Sequence, residues 1–212
     1  MIEALEKEFE TLLNDSGNEN IRIKKEIPVR SFHGNKWKSN KTNKKYLAQD
    51  FSHRCCYCDD LDKLNGGYEA YAVEHFAPKT LFQELEFNYD NLLYCCRQCN
   101  SSKSCNWIGK SADESVIDDK GFIDPCNDEY YKHLARKVNG EIISLTKLGD
   151  YMYKTLKLYS KKHQVCYQME RMYIIKTKID EILKSDLCND DKQKLIQIKS
   201  EVTDKFTEYT ML

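Results

Sequence analysis

Two Cys-x-x-Cys pairs, Cys55/Cys58 and Cys96/Cys99, constrain this chain more than any other feature. Each pair forms a knuckle whose two sulfurs can point at one ion, and two knuckles complete a tetrahedral Zn²⁺ site. The alternative is four core cysteines in chance register, and two correctly spaced pairs argue against it. The 37 residues between Cys58 and Cys96 exceed the roughly 15–20 of an ordinary zinc ribbon. Something is therefore inserted between the knuckles. Cys56 and Cys95 fall outside the i, i+3 spacing and read as buried neighbours rather than ligands. Six of the ten cysteines lie in these two clusters. Metal ligands group in this way, disulfide frameworks do not, and the expected compartment is reducing and cytoplasmic.

A chain of 212 residues with 41% apolar residues can bury a real core, as one domain or as a small domain with helical additions. No apolar run approaches the roughly 20 residues that span a bilayer, so no membrane partner is expected. The N-terminus lacks the basic start and apolar stretch of a secretory signal. A net charge of −1 gives no global case for nucleic acid, but the distribution does. Residues 1–20 are acidic. Residues 21–54 carry Arg22, Lys24, Lys25, Arg30, Lys36, Lys38, Lys41, Lys44, Lys45 and Arg54 against Glu26 and Asp50. Such a block can track a phosphate backbone or form a solvated loop. Trp37 within it either stacks on a base or anchors the arm to the core, and anchoring is the commoner role.

Periodicity predicts a helix over 2–13, ended by Asn14 to Asn18, and a second over about 41–52. Residues 68–73 and 91–95 read as strands, with a helix starting over 97–104. An acidic connector (113–120) and a short extended piece (121–125) follow. Asn139-Gly140 between strand-like flanks signals a tight hairpin within 133–145. Two long helices are expected over about 150–185 and 190–208, the latter capped by Asn189 or Asp190. The chain divides into an N-terminal helix and basic arm (1–50), a zinc-bearing core (51–110), and a hairpin with a helical C-terminal region (111–212).

The insert reads Val73-Glu74-His75-Phe76-Ala77-Pro78-Lys79, then Asn91-Leu92-Leu93-Tyr94, and the second knuckle runs directly into Asn100 and Lys103. This arrangement resembles the HNH endonuclease family of the Cys-x-x-Cys-Asn-x-x-Lys type. The resemblance implies an α+β fold: a ββα-metal core with a four-cysteine zinc site, flanked by N- and C-terminal helices. It also implies roles. His75 would be the general base that activates water, Asn91 the brace of the loop carrying it, and Asn100 a metal ligand at the start of a helix. Glu74 takes the place of the usual metal-binding aspartate, one methylene longer, and Lys103 that of the family's terminal lysine. Wording beyond the motif, including Phe122-Ile123-Asp124-Pro125 and the Asn139-Gly140 hairpin, resembles the nuclease subunits of Septu-type anti-phage systems, which implies a separate ATPase partner.

Phosphodiester hydrolysis needs a deprotonated water, and neutral imidazole near pH 7 can take its proton. It also needs positive charge beside the departing oxygen, which a hard cation supplies. A carboxylate and an amide carbonyl suit Mg²⁺ or Mn²⁺ better than zinc. Lys103 and Lys79 could each neutralise a phosphate oxygen. The expected function is metal-dependent cleavage of DNA. Its rivals are an RNA-cleaving enzyme of the same kind and a zinc-bearing module that only binds nucleic acid or protein.

Overall fold

The computed structural model describes residues 1–13, 19–24 and 26–211. The expected end of the first helix at Asn14 to Asn18, and Lys25 of the basic block, lie outside the described residues. The elements are α1 (Ile2–Leu13), β1 (Asn20–Arg22), α2 (Asn40–Asp50), β2 (Tyr71–His75), β3 (Leu92–Cys96), α3 (Arg97–Lys103), β4 (Val116–Ile117), β5 (Lys120–Gly121), β6 (Leu134–Lys137), β7 (Ile142–Ser144), α4 (Lys147–Thr155), α5 (Lys161–Ile182) and α6 (Asn189–Thr210). The fold is mixed α+β. No helix among the described residues is long and apolar enough to cross a membrane.

Two apolar cores organise these elements. The larger gathers the six clustered cysteines with Leu47 of α2 and Phe51 just after it, the β2–β3 hairpin, Phe122, Tyr130 and the apolar side of α4. The smaller is helical: Leu5, Phe9 and Leu12 of α1 meet Met172, Ile175 and Ile179 of α5 and Leu195, Ile198 and Val202 of α6. Full burial of such a side chain contributes about 1.5–3 kcal/mol, so α1 is held by its contacts with the chain's far end. The N- and C-terminal segments therefore share one core, although the sequence divides them.

β2 and β3 pair antiparallel, with His75 opposite Leu92 and Tyr71 opposite Cys96, and α3 begins at the next residue. This is the strand, loop, strand, helix order expected, shifted by a few residues at β2. The hairpin also forms: β6 and β7 pair antiparallel across Asn139-Gly140. Gly140 has φ +97°, and a Cβ there would lie 2.8 Å from the Tyr167 ring, so only glycine fits.

Three expectations need correction. The helix expected over 150–185 is two, α4 and α5, broken where Lys157 takes φ +54°. Leu156 and Leu158 are both buried there, and a pair two apart cannot share one helical face. β1 was not expected. Its three residues pair with β6 and are too few to show an alternation. The acidic connector contains the small β4–β5 hairpin, turned by Asp118 and Asp119 at positive φ.

Candidate zinc centre and histidine site

The sulfurs of Cys55, Cys58, Cys96 and Cys99 are all buried and lie within 4.8 Å of one another. Cys58 and Cys96 are 3.8 Å apart at sulfur, matching the edge of about 3.8 Å of a tetrahedron with Zn–S bonds of about 2.3 Å. Local backbone makes each knuckle. Cys55 and Asp60 close the first through Cys55 N–H to Asp60 O (3.0 Å), and Asp59 N–H returns to Cys55 O (3.1 Å). The second is the start of α3, where Cys96 sits at the N-cap and its sulfur accepts from Cys99 N–H at 3.5 Å. Cys96 N–H in turn donates to Cys55 sulfur at 3.4 Å. Backbone donors aimed at sulfur favour the thiolate, the form that binds metal. Cys56 and Cys95 are buried outside this quartet, and burial pushes both thiols upward, towards the neutral form.

Side chains from distant parts of the chain, with neighbouring Arg54, hold the first knuckle by its carbonyls. Lys24 Nζ donates to Cys55 O at 3.0 Å, Tyr130 Oη to Tyr57 O at 2.9 Å and Arg54 Nη1 to Asp59 O at 3.1 Å. Arg136 donates to Cys58 O at 2.5 Å and to Gly140 O at 2.7 Å. Lys24 and Arg136 are 1% and 2% exposed. Among the described residues neither has a carboxylate at ion-pair distance. The Asp59 carboxyl lies within electrostatic reach of both, and a zinc tetrathiolate, doubly negative, would add further balancing charge beside these buried cations. The donor set and its surroundings therefore fit Zn²⁺. Sequence reading missed these supports. Arg136 sits beside a visible hairpin signal, whereas nothing local marks Lys24.

The insert builds a second site at the end of β2. Asn91 Oδ1 accepts from Ala77 N–H at 2.8 Å, and its Nδ2 donates to Ala77 O at 2.9 Å. The amide thus clamps the peptide two residues past His75. His75 Nε2 lies 2.9 Å from Glu86 O. A carbonyl can only accept, so Nε2 carries the proton and the lone pair is at Nδ1. Burial lowers the His75 pKa, and Lys79 and Lys103 push it the same way. These effects favour the neutral ring. Asn100 lies half-buried on α3, three residues before Lys103.

Glu74 and Lys103 depart from the expected geometry. Alternation along β2 places Glu74 on the sheet face opposite His75. Its Oε1 is 2.8 Å from Lys103 Nζ, with side chains 5% and 0% exposed. Lys103 also donates to His75 O at 3.1 Å and lies 5.4 Å from the Phe122 ring centre. Burial raises the Glu74 carboxyl to about 7, against the pull of Lys103. Lys103 is thus an internal tie between α3 and β2, and its buried ammonium does not face a phosphate. The ammonium takes Glu74 Oε1, and Glu74 is 4% exposed on the face of β2 away from His75, a poor position for a hard cation shared with the histidine.

The basic block divides as well. Arg22 pairs with Asp128, Arg30 with Asp124 and Arg54 with Glu170, while Lys24 serves the knuckle. Lys36, Lys38, Lys41 and Lys45 stay exposed around the start of α2. Trp37 stacks on Tyr46 at 4.5 Å and meets Phe32 edge-on at 4.7 Å. It anchors the arm.

No protein-family model matches the chain. Among curated proteins it is similar to the Septu protein PtuB of Bacillus mycoides (strain KBAB4), at 26% identity over 144 residues, covering 55% of this chain and 45% of that protein. The chain thus spans less than half the length of the relative it matches. Sequence and geometry together give an α+β chain with a four-cysteine centre suited to zinc and a distant likeness to a Septu protein.

Proposed function

We propose that this protein is an HNH-type endonuclease that hydrolyses phosphodiester bonds of DNA, as the effector of a Septu-like anti-phage system working with a separate ATPase subunit. The observation that carries the reading is the state of His75: neutral, its Nε2–H tied to Glu86 O and its Nδ1 lone pair left for a substrate water. The Asn91 clamp on Ala77 supports it by fixing the loop behind the ring. The similarity to PtuB supports the defence role. The zinc centre is structural, since four thiolates close its shell and leave no position for water.

In the proposed reaction His75 Nδ1 takes a proton from water as the water oxygen bonds to phosphorus. The bond from phosphorus to the 3′ oxygen breaks and that oxygen takes a proton from solvent, leaving a 5′-phosphate and a 3′-hydroxyl. Lys79, 43% exposed at its side chain and paired with Glu86 at 2.8 Å, is the cation placed to meet a phosphate oxygen. The Mg²⁺ or Mn²⁺ that the family resemblance assigns to Glu74 and Asn100 does not fit the donor set as arranged here, because Lys103 holds Glu74. That same closure favours a second reading, a zinc-bearing nucleic-acid- or protein-binding module without catalysis.

Incubation of the purified protein, with and without its ATPase partner, with plasmid, single-stranded DNA and RNA and added Mg²⁺ or Mn²⁺ separates the readings. DNA products bearing 5′-phosphates support the nuclease. Binding without cleavage under every condition supports the module, and cleavage of RNA alone moves the substrate.

A further inference from the structure

β2 and α2 enclose a groove of about 940 Å³ whose two sides differ chemically. One wall is cationic: Lys41, Lys44 and Lys45 project from α2, against a single acidic neighbour, Glu69, 3.7 Å from Lys44. The floor is apolar and aromatic, made by Tyr68, Ala72 and Val73, all partly exposed. Lys44 Nζ sits 4.1 Å over one face of the Tyr68 ring, and Tyr94 lies near-parallel to it with ring centres 6.2 Å apart. Arg22, Lys24, Arg30 and Arg54 are engaged within the fold, which leaves Lys41 and Lys45 at the groove, and Lys36 and Lys38 before α2, as the exposed cations of this segment.

We propose that this groove binds a single strand of nucleic acid, phosphates along the lysines and bases on Tyr68 and Val73. A duplex presents phosphates outward and keeps its bases stacked inside, so it would meet the wall and leave the floor empty. A single strand offers both faces at once, which is what a basic wall beside an aromatic floor recognises. The groove also leads to the histidine. Val73 and His75 lie on the same face of β2 by strand alternation, about 7 Å apart at the strand's rise per residue. A strand lying along β2 would pass from Tyr68 to the His75 imidazole. The choice of nucleic acid over other polyanions rests on the nuclease reading, but the groove is tested by binding alone.

The test is fluorescence anisotropy with a labelled single-stranded oligonucleotide and its duplex, in a His75→Ala background so that the probe stays intact. Lys41→Gln/Lys45→Gln should weaken single-strand binding at least tenfold and lower the salt slope by about 1.4, or about 0.7 per lost contact. Tyr68→Leu should weaken it about five- to hundredfold, the range of one lost base stack, with little change in duplex binding. Lys184→Gln/Lys194→Gln, exposed positions elsewhere, should bind like the parent, and all variants should melt like it. Unchanged single-strand binding in the groove variants overturns the proposal. So does a preference for duplex that is indifferent to Tyr68. Absence of cleavage by the protein with His75 intact, with groove-dependent binding preserved, would instead count against the nuclease reading alone.

Discussion

The zinc knuckles and the end of β2 are joined by one short hairpin, yet they are built on opposite plans. At the knuckles the ligands and the backbone that carries them are closed. The four ligand cysteines are 0–2% exposed, and the carbonyls of Cys55, Tyr57, Cys58 and Asp59 are each taken by a side chain, three of them from elsewhere in the fold and the last from neighbouring Arg54. At His75 one nitrogen is fixed and the other is left open. A site supported from all sides is one the fold depends on, whereas a half-buried ring with a spare lone pair is one the fold can lose. The difference separates a stabilising centre from a reactive one, and each side of it can be broken on purpose.

The largest effect is expected at the knuckles. Cys96→Ser removes one of four thiolates from a site whose metal affinity is worth about 10–16 kcal/mol in zinc peptides. The protein should become insoluble or lose its metal, while Cys105→Ser, at an exposed cysteine, should leave zinc content and melting unchanged. Soluble wild-type protein that contains no zinc by elemental analysis would contradict this half of the comparison.

The Glu74–Lys103 tie lies between the two plans and sharpens the boundary. Removing one partner of a buried pair leaves an uncompensated charge, so Lys103→Met should cost about 3–5 kcal/mol in chemical denaturation. Adding Glu74→Gln should recover much of that loss. A lysine whose role is to meet phosphate would give a different result: Lys103→Met would weaken substrate binding and leave stability alone.

The sequence showed the two sites unequally, and the reason is physical. A zinc knuckle is a local pattern, so Cys55, Cys58, Cys96 and Cys99 were legible from spacing alone. Asn139-Gly140 announced its hairpin for the same reason, since a tight turn is set by two residues. Three of the first knuckle's supports come from positions 31 to 78 residues away, and no periodicity links Lys24 or Arg136 to a cysteine. Glu74 was misjudged in another way. Its place in the motif was readable, but which sheet face it occupied, and that Lys103 would meet it there, depended on α3 packing under β2. Helix continuity through 156–160 failed where Leu156 and Leu158, two apart, already marked a break that the longer apolar pattern on either side outweighed.

The central claim is that the open nitrogen of His75 does chemistry that the closed zinc centre only supports. The most direct measurement is the pH dependence of DNA cleavage, as kcat/KM, for wild-type protein and His75→Ala at matched zinc content and melting temperature. A general base must be neutral to act, and burial lowers the His75 pKa below the ordinary 6.5. The wild-type rate should therefore fall on the acid side with its midpoint below pH 6.5. His75→Ala should bind one zinc, melt like the parent and cleave about 10²–10⁴-fold more slowly, with that acid limb gone. Equal cleavage by the two proteins, or loss of zinc whenever His75 is replaced, would contradict the division and leave the chain a single structural zinc cluster.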